Sequence, residues 1–162
     1  MVSPVLAGLL GAFLAPPAEP RAAVVTAVLE DQNGRPDSLA AHGGHPVLVL
    51  VVTVGRLRNL KGWELDLRQR APQLDFLRVA DVPQDEKVEH EEVARRLREH
   101  VPSEVSVLID LEGAWARALT LDTREVNLLL FDGQARLLRS FRGRREPPLV
   151  SEVAAAVRDA AR

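Results

Sequence analysis

The run His45-Pro46-Val47-Leu48-Val49-Leu50-Val51-Val52-Thr53-Val54 is the stretch that most constrains this fold. An unbroken series of β-branched and aliphatic residues, too short to cross a membrane, reads as a strand covered on both faces at the centre of a sheet with parallel neighbours. In α/β proteins the functional groups gather where such a strand turns into the next helix N-terminus. Here that corner is Gly55-Arg56-Leu57-Arg58-Asn59-Leu60-Lys61, rich in cations and without a nucleophile.

The remaining elements follow from local patterning. Val24–Glu30 is an expected strand, closed by a turn at Asp31-Gln32-Asn33-Gly34, and Ser38–Gly44 is a short irregular or single-turn segment. Asn59 is a candidate cap for a helix whose apolar stripe is Leu60, Trp63, Leu67 and Ala71, ended by Pro72. A strand over 75–82 precedes a helix over 88–100, whose early Glu89, Glu91 and Glu92 and late Arg95, Arg96 and Arg98 complement the helix dipole. Its spacing pairs Glu91 with Arg95 and Glu92 with Arg96, and its buried stripe is Val93, Leu97 and Val101.

A further strand over 105–109 leads through Asp110-Leu111-Glu112-Gly113 to a short helix or loop around Trp115. Asp132-Gly133 between two strand-like runs predicts a hairpin of 126–131 with 134–141. A C-terminal helix with Leu149, Val153, Val157 and Ala160 on one face completes the chain. The order β, β, α, β, α, β, β, β, α implies an α/β fold, a buried mixed sheet flanked by helices on both faces.

At 162 residues, with 46% hydrophobic and 27% charged content, residues 24–162 suit one domain. Residues 1–23 differ: the apolar run Val5–Ala15 and the joint Pro16-Pro17-Ala18-Glu19-Pro20 have the length of a signal-peptide core. No cation precedes that run, and an N-terminal helix packed on the domain is the alternative. Export to the periplasm or beyond is therefore the expectation, with a cytoplasmic location as the other reading. No membrane span is expected in the mature domain. A net charge of -2 and 4% aromatic content give no footprint for nucleic acid. Cysteine is absent, which removes disulfides, thiolate metal sites and thiol catalysis from this chain.

Other constellations weigh toward structure. Glu86 and His90 lie on a helix charged all along its polar face, and His42 and His45 flank a turn without further ligands. Ser38, Thr53 and Thr120 lack the G-x-S-x-G setting of a hydrolase nucleophile. Gly43-Gly44 precedes a strand, the wrong side for a phosphate loop. Trp63 and Trp115 read as core. No catalytic residue, metal site or cofactor site is therefore expected.

Leu29-Glu30-Asp31-Gln32-Asn33-Gly34, the following Ser38-Leu39, Gly44-His45-Pro46, Val107-Leu108-Ile109-Asp110 with Gly113, Leu129-Leu130-Phe131-Asp132-Gly133 and Phe141-Arg142-Gly143 together resemble the thioredoxin-like redoxins. Gly55-Arg56 and the stretch running from Val107 to Ala118-Leu119 make the chain most similar to the exported, cysteine-free proteins of the YtfJ type. The resemblance implies a thioredoxin-like mixed sheet. It also implies that Arg56-Leu57-Arg58-Asn59 stands where redox-active members carry Cys-x-x-Cys, and Val126 where they carry a cis-proline.

Arginine stays protonated in proteins and cannot replace a thiolate nucleophile. Thiol oxidoreductase and peroxidase readings therefore fall together. The expected function is a non-catalytic binding or accessory protein of the cell envelope, with a non-thiol enzyme in the same groove as the alternative. Arg56, Arg58, Asn59, Lys61 and Val126 are the candidate site for a small anion or a protein partner not yet identified. The sequence leaves the oligomeric state open.

Overall fold

The computed structural model describes residues 26–162 except Glu86. The expected signal segment and half of the Glu86–His90 pair therefore lie outside the described residues. Five strands form one sheet in the order β5-β4-β3-β6-β7. They are β3 (Val47–Thr53), β4 (Asp75–Asp81), β5 (Leu108–Asp110), β6 (Asn127–Phe131) and β7 (Leu137–Arg142). A separate antiparallel pair joins β1 (Leu29–Glu30) to β2 (Pro36–Asp37). The helices are α1 (Arg58–Arg70), α2 (His90–His100), α3 (Ala114–Leu119) and α4 (Pro147–Ala160).

The apolar run is the central strand. β3 runs parallel to β4 and antiparallel to β6, so the sheet is mixed. Its side chains alternate between two cores, which is why no polar residue interrupts it. Leu48, Leu50 and Val52 pack with Leu60, Trp63 and Leu67 of α1 and Val150, Val153 and Val157 of α4. Val47, Val49 and Val51 pack on the other face with Leu39, Trp115 and Phe131. The second face is covered by α3, by a 3-10 turn at Leu39–His42 and by Leu29 of β1. Helix α2 covers Ala80 and Ile109 with Val93, Ala94 and Leu97. Helices thus cover both faces, and truncating Leu48 or Leu50 to Ala would cost about 2–5 kcal/mol.

Several local expectations change. The first strand is only Leu29–Glu30, and residues 24–25 lie outside the described residues. Asn59 does not cap α1: the chain enters through a 3-10 turn at Val54–Arg56, and Leu57 holds the cap position without a side-chain bond. Helix α2 begins at His90, and of the two expected pairs only Glu92–Arg96 forms. Glu91 instead bonds Arg98, and Arg95 bonds Glu99. Arg98 is turned toward the β1–β2 loop, where it donates to the Gln32 carbonyl at 2.6 Å, and so reaches back to Glu91.

The expected hairpin forms, with β6 antiparallel to β7, but its loop is longer than Asp132-Gly133. The loop runs from Asp132 to Arg136, with Asp132 N–H bonded to the Arg136 carbonyl and the left-handed residue at Ala135, φ 58°. Asp132 accepts the Gln134 and Arg136 amides at 2.8 and 2.9 Å and the Arg136 guanidinium at 2.7 Å. The β1–β2 loop repeats this design. Asp31 accepts the Asn33 and Arg35 amides and the Arg35 Nε, and Gly34 takes the left-handed position at φ 72°. Gly133 serves a different need: a Cβ there would lie 2.8 Å from the backbone of Gly44 and His45.

Candidate functional site

An open groove of about 490 Å³ lies at the C-terminal end of β3. It is bounded by the start of α1, by the segment entering β6 and by the link between β7 and α4. Of the sequence candidates, Arg56, Arg58, Asn59 and Val126 line it, and Lys61, although exposed on the same helix, does not. Arg124, Glu125, Gly143, Arg144 and Arg145 come from segments distant in sequence, and Gly62 and Trp63 complete the wall.

The segment 120–126 is held at several points. Thr120 turns the chain in the left-handed region at φ 53°. Thr123 accepts the Thr53 amide at 2.8 Å through its carbonyl, and its hydroxyl donates to Asp81 at 2.6 Å. Buried Asn127 donates to the carbonyls of Asp122 and Glu125 at 2.9 and 3.0 Å. Arg124 is thereby presented outward, and its carbonyl accepts Arg56 at 2.7 Å. Burial pushes the Asp81 carboxyl above its usual value against the opposing bond from Thr123, and neighbouring Asp110 adds to the rise.

On the opposite wall Gly62 clears a path. A Cβ there would stand 2.7 Å from Arg145 Nε, so the absent side chain lets Arg145 lie across α1 and reach Asp66 at 2.8 Å. Trp63 is almost wholly buried, and its exposed remnant with Val126 gives the groove an apolar floor.

Charge is the groove's dominant property. Three nearby acids have their own arginine: Asp122 takes Arg124 in a two-point bond at 2.8 Å, Asp66 takes Arg145, and Glu125 lies 3.7 Å from Arg142. The Arg124 bonds hold the Asp122 carboxyl down at about 2. Arg56, Arg58 and Arg144 have no carboxylate partner among the described residues. The first turn of α1 contains no acid, so nothing there offsets the positive end of the helix dipole. Three guanidiniums without a carboxylate partner around one groove, in a chain of net charge -2, concentrate positive charge there. Among the described residues every peptide bond is trans, including the one before Val126. No group of three or more metal-capable side chains lies together among them.

The sequence matches no protein-family model and none of the curated proteins. Solved structures do match. Peroxiredoxin Q of Xanthomonas campestris superposes with a TM-score of 0.61 at 16% identity, over 87% of this chain and 96% of that one. The N-terminal domain of PilB from Neisseria gonorrhoeae gives 0.65 at 15% identity, over 88% and 93%. A pneumococcal exposed lipoprotein thioredoxin from Streptococcus pneumoniae gives 0.59 at 14% identity, over 80% and 98%. At such identities the shared property is the fold. With its mixed five-stranded sheet, helices on both faces and no cysteine, the chain has the thioredoxin-like fold.

Proposed function

We propose that this protein is a non-catalytic binding or accessory protein of the cell envelope, akin to the cysteine-free YtfJ-type proteins. Its arginine groove holds an acidic group of a partner or a small anion. The observation that carries the reading is the set of unmatched guanidiniums of Arg56, Arg58 and Arg144 around one groove. A guanidinium gives fixed charge and directed N–H donors, which suits binding, and it stays protonated near neutral pH, so it does not serve as an acid–base catalyst. Each charge-assisted bond to a carboxylate or phosphate contributes about 1.5–3 kcal/mol. The envelope location is favoured by the apolar segment Val5–Ala15 and by likeness to a lipoprotein thioredoxin described as exposed.

Millimolar sulfate should raise the melting temperature, because a ligand bound only by the native state stabilises it by mass action. Chloride at matched ionic strength is the control. Replacing Arg56 and Arg58 together by Ala should abolish the response and lower anion-free stability by no more than about 1.5 kcal/mol, the loss of the exposed Arg56 bond to the Arg124 carbonyl. An undiminished sulfate response in the double variant, or none in the wild type, would remove the site.

A further inference from the structure

The groove is continuous with a strand edge that pairs with no other strand among the described residues. β7 ends the sheet, and among the described residues no segment pairs with its outer side. The ladder register settles which groups that side offers. Gly143 N–H bonds the Val126 carbonyl at 3.2 Å, so the alternate pairs Leu128 with Phe141 and Leu130 with Arg139 exchange the inner bonds. Ser140 and Arg142 therefore turn their amides and carbonyls outward. Leu138, beside them, is 46% exposed.

The edge is also basic. From Gly133 to Arg145 the chain carries Arg136, Arg139, Arg142, Arg144 and Arg145 and no acidic residue. Arg139 and Arg144 lack a carboxylate partner among the described residues. An unprotected edge is a template for pairing, and rows of like charge direct what pairs with it. A second copy placed antiparallel on β7 would bring its own arginines against these, which costs free energy. An acidic strand would meet the opposite charge. Past Arg142 the same backbone continues into Gly143, Arg144 and Arg145, which line the groove.

We propose that the partner of this protein is an extended acidic segment that adds as a strand to the outer edge of β7 and ends in the arginine groove. This rests on the binding reading given above and adds to it the chemistry of the occupant. Backbone bonds to Ser140 and Arg142 supply affinity that does not depend on side chains. Acidic residues of the segment meet Arg139 on the strand and, past its end, Arg144 in the groove.

The test uses a fluorescein-labelled peptide of alternating Glu and Val, with a Lys/Val peptide of equal length as control. Anisotropy should show the acidic peptide binding and the basic one not. Ser140→Pro removes one outward donor and leaves the inner ladder intact, as proline is tolerated on an edge strand. It should weaken peptide binding at least tenfold while leaving the sulfate response of the groove unchanged. Hydrogen exchange on the wild type gives an independent reading if that variant fails to fold: the peptide should slow the amides of Ser140 and Arg142. No binding of the acidic peptide, equal binding of the basic one, full affinity in Ser140→Pro, or unprotected Ser140 and Arg142 amides would overturn the proposal. So would a free protein that sediments as a dimer with those amides already protected. The sulfate response with the Arg56 and Arg58 variants tests the groove separately, so the two failures are distinguishable.

Discussion

Replacing Glu64 by Ala should destabilise the protein by about 3 kcal/mol, far more than an ordinary salt bridge would suggest. Arg78 stands on β4 between Phe76 and Ala80, on the face covered by α1, and forms a two-point pair with Glu64. The two side chains are only 13% and 14% exposed. Without Glu64 the guanidinium keeps one long bond, to the Ser106 carbonyl at 3.4 Å, and stays largely shielded from water. Removing one partner of a buried pair typically costs about 3–5 kcal/mol, and the low end applies because that bond and some solvent access remain. For a domain of this size the loss corresponds to a fall in Tm of about 6–12 °C. Urea unfolding followed by circular dichroism measures it. A joint Glu64→Leu, Arg78→Met variant should recover most of the loss, because it leaves no orphaned charge. A single variant as mild as a surface change, within about 0.5 kcal/mol, would refute the reasoning.

Ala135→Gly should raise stability by about 0.5–1 kcal/mol, since a left-handed non-glycine residue is strained by about 1–2 kcal/mol and glycine loses part of that gain in chain entropy; thermal melts showing a loss would contradict it. Asp81→Asn should stabilise the protein at neutral pH. A carboxyl raised by burial supports the fold below its unfolded pKa and loses that support as pH rises through the folded value, so the variant's advantage should vanish in acid. Asp31 works in the reverse sense. Burial alone would raise its carboxyl, but the bonds from Arg35, Asn33 and Ser106 outweigh it and hold the group below its usual value. Its stabilisation is full above the unfolded value of about 3.9 and is lost as pH falls through the folded pKa, so Asp31→Asn should flatten the acid limb of the stability curve.

The sheet was legible where one residue pattern decided burial. Val47–Val52 could only be a doubly covered strand, and Leu60, Trp63 and Leu67 could only be an inward helical stripe. Turn geometry was less legible. Asp132-Gly133 suggested a tight hairpin, but the asparate side chain organises a longer loop whose left-handed residue is Ala135. The signal lay in the common pattern of Asp31–Arg35 and Asp132–Arg136, an aspartate four residues before an arginine that it binds. Half of the groove was visible in one segment, as Arg56 and Arg58. Arg124, Arg144 and Arg145 join it only through the antiparallel placing of β6 and β7, a long-range pairing that local pattern does not encode. Lys61 shows the converse: nearness in sequence to Arg58 does not bring it to the groove wall.

Side-chain NMR reads directly whether Arg56, Arg58 and Arg144 together receive an anion. Titrating phosphate into uniformly 15N-labelled protein while following the arginine Nε–Hε resonances should shift those three, saturably and with one common dissociation constant. Arg78, already paired with Glu64 away from the groove, should stay fixed. Shifts scattered without saturation over the exposed arginines, or confined to residues outside the groove, would contradict the account.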